Sequence, residues 1–174
     1  MYNKIKARAK SLVFILRRIM TKPALQRDGN FRTIDTNEAF CSESTWTFAA
    51  ATTGAVASHT VFTVTGNVLA TVFGVCDTTL DSGGAPTIEM GVAGNTAVLI
   101  AQSVAKSLAD GEIWVDATMT RVGAGTLPAM QIINDGADII LTIASATVTA
   151  GVVDFYCLWR PLSDGASITV TTPA

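Results

Sequence analysis

Charged residues are few in this sequence, and histidine and closely spaced cysteines are too scarce for two common kinds of functional site. Only 15% of the 174 residues are charged, and His59 is the single histidine. A serine or cysteine nucleophile needs a base, and a structural zinc site needs several closely spaced His or Cys ligands. The three cysteines, Cys41, Cys76 and Cys157, lie far apart and form no CxxC pair. The sequence therefore predicts neither a zinc site nor a catalytic triad, and favours buried thiols over a disulfide framework.

The few charges are divided unevenly between the first 32 residues and the rest. Residues 1–32 hold nine of the twelve Lys and Arg residues and one acid, Asp28, which gives +8; the remaining three cations and thirteen acids give −10. Such a division is typical of an extension that meets an anionic surface while the body has another role. Pro23 and the Asp28-Gly29 turn signal mark a linker, so we predict a basic arm and linker over 1–40 and one domain over 41–174.

The basic arm has the apolar spacing of an amphipathic helix, with Ile5, Ala9, Leu12, Leu16 and Ile19 on one stripe. The apolar run SLVFIL is short for a signal peptide and is followed at once by two arginines. Three interpretations remain: an arm docking on an acidic protein lattice or nucleic acid, a helix on a membrane surface, or a start of translation at Met20. The cations predicted to face the anionic partner are Lys4, Lys6, Arg8, Lys10, Arg17 and Arg18.

From about Trp46 the sequence consists of short β-branched and aromatic runs separated by Gly, Asp, Asn and Ser. Runs of this length and spacing predict an all-β domain, an antiparallel β-sandwich of jelly-roll type. Gly66-Asn67, between HTVFTVT and VLATVFGVC, predicts a tight hairpin. The segment AQSVAKSLADG is interpreted as a strand end and a loop rather than a helix.

Alternation in VVDFYCLWRP predicts which side of this strand enters the core. Val153, Phe155, Cys157 and Trp159 share one face and form the better core candidate. Tyr156 and Leu158, on the other face, would then be left to contact a neighbouring subunit or a ligand. Trp114 is a further candidate for such a contact, since an exposed tryptophan can stack on a sugar.

Two acidic groups have the residue types of catalytic or metal sites. Glu112 and Asp116 flank Trp114 and would share a strand face, as the paired carboxylates of a glycosidase require. Asp135 and Asp138 flank Gly136 but lack the spacing of a calcium loop. Solvated strand carboxylates and an ordinary turn are the more common outcomes. The sequence thus predicts no catalytic residue, no metal site and no cofactor, and the chain is expected not to be an enzyme.

The stretch from His59 to Leu162 resembles the small Thr/Ala/Val-rich proteins encoded beside the head genes of tailed bacteriophages. The likeness is carried by HTVFTVTGNVLATVFGVC, GAPTIEMGVAGNTAVLIAQ, GEIWVDAT and NDGADIILTIASATVTAGVVDFYCLWRPLS. The resemblance implies a virion structural protein, a capsid-decoration protein or another head- or neck-associated component. By analogy it also implies partners among the capsid proteins and a homotrimer. The alternative is a carbohydrate- or receptor-binding module with Trp114 or Trp46 as its stacking platform.

Overall fold

The turn-separated apolar runs form ten strands in the computed structural model, which describes residues 39–119 and 126–171. One 3-10 turn, Ala105–Ser107, follows β5, so AQSVAKSLADG is a strand end and a loop as predicted. The strands are β1 (Phe40–Thr47), β2 (Ser58–Thr65), β3 (Val68–Asp81), β4 (Thr87–Val92), β5 (Asn95–Val104), β6 (Ile113–Trp114), β7 (Gln131–Ile133), β8 (Ile139–Ala144), β9 (Ala150–Pro161) and β10 (Ser167–Val170).

The ten strands build two sheets in which every pairing is antiparallel. Sheet A has the order β1-β9-β3-β6, with β7 also paired to β3, and sheet B has the order β10-β2-β8-β4-β5. The all-β, antiparallel prediction is confirmed. The predicted N-terminal helix lies outside the described residues and stays a prediction.

The pairings are nested along the chain. β1 pairs with β9, β2 with β8, β3 with β6 and β7, and β4 with β5. Most connections therefore pass from one sheet to the other, and the hairpin at Ala93-Gly94 is the exception in which two consecutive strands pair directly.

The predicted hairpin at Gly66-Asn67 is wrong. The turn is present and Gly66 has a φ of 69°, but β2 belongs to sheet B and β3 to sheet A. The amides that a hairpin would use are taken by other loops: Gly66 N donates to Asp135 Oδ1 at 2.6 Å and Asn67 N to Ser163 Oγ at 2.9 Å. The two residues therefore turn a corner of the sandwich, because side chains from distant loops replace the cross-strand bonds.

The core lies between the inward faces of the two sheets. On β9, Val153, Phe155 and Cys157 are fully buried and Trp159 is 8% exposed, which confirms the predicted core face of this strand. Sheet B contributes apolar side chains in the same alternating pattern, with Leu141 on β8 as one example. Period-two burial on both sheets is what two packed antiparallel layers require.

One buried hydroxyl in this core has no hydrogen-bond partner. Ser44, on β1 opposite Phe155, is 2% exposed, and its Oγ contacts no donor or acceptor among the described residues. A buried polar group without a partner loses its hydration and gains nothing in return.

We expect Ser44→Ala to stabilise the domain by about 1 kcal/mol, because it removes a desolvated hydroxyl at little cost in volume. Urea denaturation of both proteins measures the difference. Ser103→Ala is the matched control: Ser103 Oγ is also buried but accepts the Nε1–H of Trp114 at 2.9 Å, so its loss should destabilise the domain. A loss of stability in Ser44→Ala equal to that in Ser103→Ala would contradict this account of Ser44.

Candidate functional site

The histidine and the acids that carried the catalytic hypotheses are each used in local hydrogen bonds. His59, the single histidine, has its Nε2 3.0 Å from the carbonyl oxygen of Ala55, and its ring packs 5.7 Å from that of Trp46. It is therefore a hydrogen-bonded residue at the edge of the core.

Glu112 and Asp116 do not share a strand face, because β6 consists of two residues, Ile113 and Trp114. Glu112 Oε2 accepts the amide of Ala109 at 2.7 Å, and Asp116 Oδ1 accepts the amide of Thr118 at 2.6 Å. Each carboxylate thus stabilises the turn beside it. The shared strand face on which the paired-carboxylate hypothesis depended is not formed by these two residues.

Asp135 and Asp138 likewise hold the corner between the sheets. Asp135 Oδ1 accepts the amide of Gly66, and Asp138 Oδ1 accepts the amide of Val64 at 3.0 Å. The turn interpretation of this segment is confirmed. Within residues 39–119 and 126–171, no group of three or more His, Cys, Asp or Glu side chains is placed to bind a metal ion.

Trp114 lies inside the core, so the prediction that it contacts a ligand or another subunit is wrong. Its exposure is 0%, its ring packs 6.2 Å from that of Phe155, and its Nε1 donates to Ser103 Oγ. Trp46, the other proposed stacking platform, is 2% exposed and donates its Nε1 to the carbonyl of Thr53. Strand pairing directs both indole rings into the core. There Ser103 accepts the N–H of Trp114, and the carbonyl of Thr53 accepts that of Trp46.

The outward face of sheet A carries large apolar and aromatic side chains. Alternation on β3 and β9 directs large apolar side chains outward as well as inward, and most of those on the outer side are half-buried. The apolar face, as this surface is called below, consists of Leu69, Phe73, Val75, Ile113, Ile132, Tyr156 and Leu158.

Tyr156 and Leu158 lie on this outward face, in the middle of sheet A, where the sequence predicted them. Tyr156 stands opposite Phe73 on β3, and the two rings stack with centroids 5.1 Å apart and planes 14° apart. Leu158 stands opposite Thr71, which is buried and donates its Oγ1 to the carbonyl of Pro128. Sequence reasoning missed Phe73, although the alternation in VLATVFGVC places it opposite the core side.

The apolar face has charges at both ends of β9 and one beside its middle, where exposed Glu43 on β1 stands opposite Tyr156. Asp154, half-buried, accepts the hydroxyl of Thr45 at 2.6 Å at one end of β9, and Arg160 lies at the other. Burial, and then the hydrogen bond and negative charge of Glu43, raise the pKa of Tyr156, so its hydroxyl stays a donor at neutral pH.

The outward face of sheet B is polar by contrast. Threonines line it on β2 and β8, and Ser58 Oγ lies 3.0 Å from Thr142 Oγ1 across those strands. Glu89 on β4 accepts hydrogen bonds from Thr96 and Gln102. The two outer surfaces of the sandwich therefore differ in chemistry, and sheet A carries the one suited to excluding water.

The predicted anionic-partner residues, from Lys4 to Arg18, lie outside the described residues. Within the part that the structure describes, no helix is long and apolar enough to span a bilayer. Comparison with family models, with curated proteins and with solved structures finds no match to this chain. Function is therefore inferred from the described residues themselves.

The three cysteines are free and differ in access to solvent. Cys41 is exposed on β1, whereas Cys76 and Cys157 are buried. Burial raises the pKa of Cys157 to about 12, and burial with the nearby charges of Asp110 and Glu112 raises that of Cys76 to about 11. The buried-thiol interpretation of Cys76 and Cys157 is confirmed.

We expect Ellman's reagent to modify Cys41 in the folded protein at about pH 8 and to reach Cys76 and Cys157 only after unfolding. The raised pKa values keep both buried thiols protonated in the folded chain, while in the unfolded chain they ionise near the ordinary thiol pKa of 9.0. The free energy of unfolding should therefore fall as pH rises from about 9 towards 11. Rapid labelling of all three thiols without denaturant would contradict their placement.

Proposed function

We propose that this chain is a virion structural protein of a tailed bacteriophage, a capsid-decoration protein or another head- or neck-associated assembly component, and that its fold is a jelly roll. A jelly roll is a long antiparallel ribbon rolled into two sheets, in which the first strand pairs with the last and the middle strands pair with each other. The nested pairs β1–β9, β2–β8, β3 with β6 and β7, and β4–β5 have this order, with β10 added beside β2. Viral capsid domains commonly use this architecture.

The observation that carries the assembly role is the apolar face. A sheet whose outer side presents stacked aromatic and aliphatic residues has a broad, weakly charged surface that gains free energy when another protein covers it. Ile132 is 69% exposed on this face. A protein that acts by being built into a particle needs such surfaces more than it needs a cleft.

The proposal includes no catalytic activity and no cofactor. His59, Glu112 and Asp116 are each used in a local hydrogen bond. Trp114 and Trp46, the stacking platforms of the carbohydrate- or receptor-binding alternative, are both buried in the core. Its remaining candidate is the pair Phe73 and Tyr156, in which each ring already uses one face on the other.

We expect antibody raised against this chain to label intact phage particles at regular positions on the head or neck in electron micrographs. Particles produced from a genome that lacks the corresponding gene are the control. A glycan array probed with the purified protein separates the alternative, since an assembly protein should bind no sugar. Unlabelled particles together with selective glycan binding would contradict the virion assignment and favour the alternative.

The basic arm is proposed to dock on an anionic surface of the particle, either an acidic protein lattice or nucleic acid, with a membrane surface as the less favoured partner. Support comes from the +8 charge of residues 1–32 against the −10 of the remainder. Residues 39–174 form a compact unit of their own.

We expect deletion of residues 1–20 to leave the melting temperature almost unchanged and to weaken attachment to the particle. The attachment of the full-length protein should fall as salt rises, because ions screen the attraction of Lys and Arg to an anionic partner. Co-sedimentation of both proteins with particles that lack this chain, across a salt series, measures the effect. Equal sedimentation of both proteins at every salt concentration would exclude the arm from attachment and leave Met20 as the favoured start.

A further inference from the structure

Chemically different residues occupy the two ends of the apolar face, in an order that makes the face complementary to itself. Along β9, Asp154 and Arg160 both point outward and are equally spaced on either side of Cys157. Tyr156 and Leu158 are the outward residues next to that midpoint. A two-fold axis crossing β9 at this level exchanges the two ends of the strand.

We propose that a second copy of this chain covers the apolar face, packed face to face about such a two-fold axis. Arg160 of one copy then lies over Asp154 of the second copy, and the reverse holds at the other end. Tyr156 of each copy packs on Leu158 of the other. An isologous contact has this property, since residue i meets j wherever j meets i.

The neighbouring strands support the same axis. On β3, Leu69 stands beside Arg160 and Val75 beside Asp154, so the axis places Leu69 of one copy over Val75 of the other. At the sheet edge, Ile132 pairs with Leu69 and Ile113 with Val75, and these two isoleucines meet in the same way. By the same axis Phe73 lies over Thr71 of the other copy, and Glu43 on β1 lies over Cys41. Most apolar residues are thus covered by apolar or aromatic ones, without a like-charge pair on β9.

The charges at the two ends of β9 can pair across this axis. Arg160 Nε is buried within its own chain, so the pairing uses the terminal guanidinium nitrogens, and arginine and carboxylate form strong charge-assisted bonds. Asp154 can accept this bond in addition to that from Thr45, because a carboxylate has about four acceptor positions.

The size of the face sets the expected affinity. The face covers three strand positions and seven residue levels, so a strand spacing of about 4.8 Å and a rise of about 3.3 Å per residue give roughly 14 Å by 23 Å, about 330 Å² in projection. Standard interfaces bury about 800 Å² on each partner, so this one is smaller than a standard interface and the contact is weak. We therefore expect a reversible dimer with a dissociation constant in the micromolar range. A trimer needs two different complementary patches on each subunit, whereas this face pairs with itself.

The inference rests on the proposed assembly function and names its partner. Self-association is measured on purified protein and virion location on particles, so either can fail while the other holds. Sedimentation equilibrium of the full-length protein over about 1 to 200 μM, a range that brackets a micromolar constant, should show monomer and dimer. A monomer throughout, or a trimer without dimer, would overturn the proposal.

Two sets of variants test the surface and its register. Ile132→Glu should weaken the dimer about tenfold or more, because it places a charge in an apolar contact, whereas Val56→Glu should not. Ile132 and Val56 are 69% and 53% exposed, so neither change threatens folding, and circular dichroism checks this. Equal effects of the two variants, or none from Ile132→Glu, would exclude the apolar face.

Charge reversal then tests the two-fold axis. Arg160→Glu and Asp154→Arg should each weaken the dimer about tenfold, since each creates like-charge contacts, and the double variant should recover most of the affinity. Lys106→Glu makes the same charge change on an exposed turn away from the face and should have no effect. A double variant as weak as the single ones would exclude the pairing of Arg160 with Asp154, whatever happens to the Ile132 variant.

Discussion

The antiparallel ladder between β3 and β9 is the interaction on which the rest of the structure depends. It extends along most of both strands in the middle of sheet A. Because side chains alternate across a strand, this one register decides which residues enter the core and which form the apolar face. A slip of one residue on β9 would turn Phe155 and Trp159 to solvent and drive Asp154 and Arg160 into the core. The burial of Phe155 therefore also fixes the outward position of Tyr156.

The carboxylates show how a protein with few charges uses them. Asp135, Asp138 and Glu112 each accept a backbone amide in a loop or corner that has no strand partner for it. Such bonds satisfy backbone donors and fix the loops between the sheets. The outward surface of sheet A carries large uncharged residues over most of its area.

Local pattern was enough to predict the all-β class, the inward residues of β9 and the outward position of Tyr156, because each depends on alternation within one strand. Pattern failed at Gly66 and at Trp114. A glycine-containing turn fixes the direction of the chain only locally, and whether the next strand pairs with the previous one depends on distant side chains such as Asp135 and Ser163. The same reasoning explains Trp114. A strand of two residues shows no alternation, so the face on which Trp114 lies depends on the pairing of β6 with β3.

The nesting of the strands also has a consequence for the order of events during synthesis. β1 can pair only after β9 has been synthesised. Residues as far apart as Thr45 and Asp154, 109 positions along the chain, must therefore meet before sheet A is complete. Long-range pairings of this kind slow folding, because the ends of a long loop have to be brought together first. The apolar face is assembled from β3 and β9 together, so a chain still emerging from the ribosome does not yet possess it. The surface that would join two copies is therefore completed only after β9 has been synthesised.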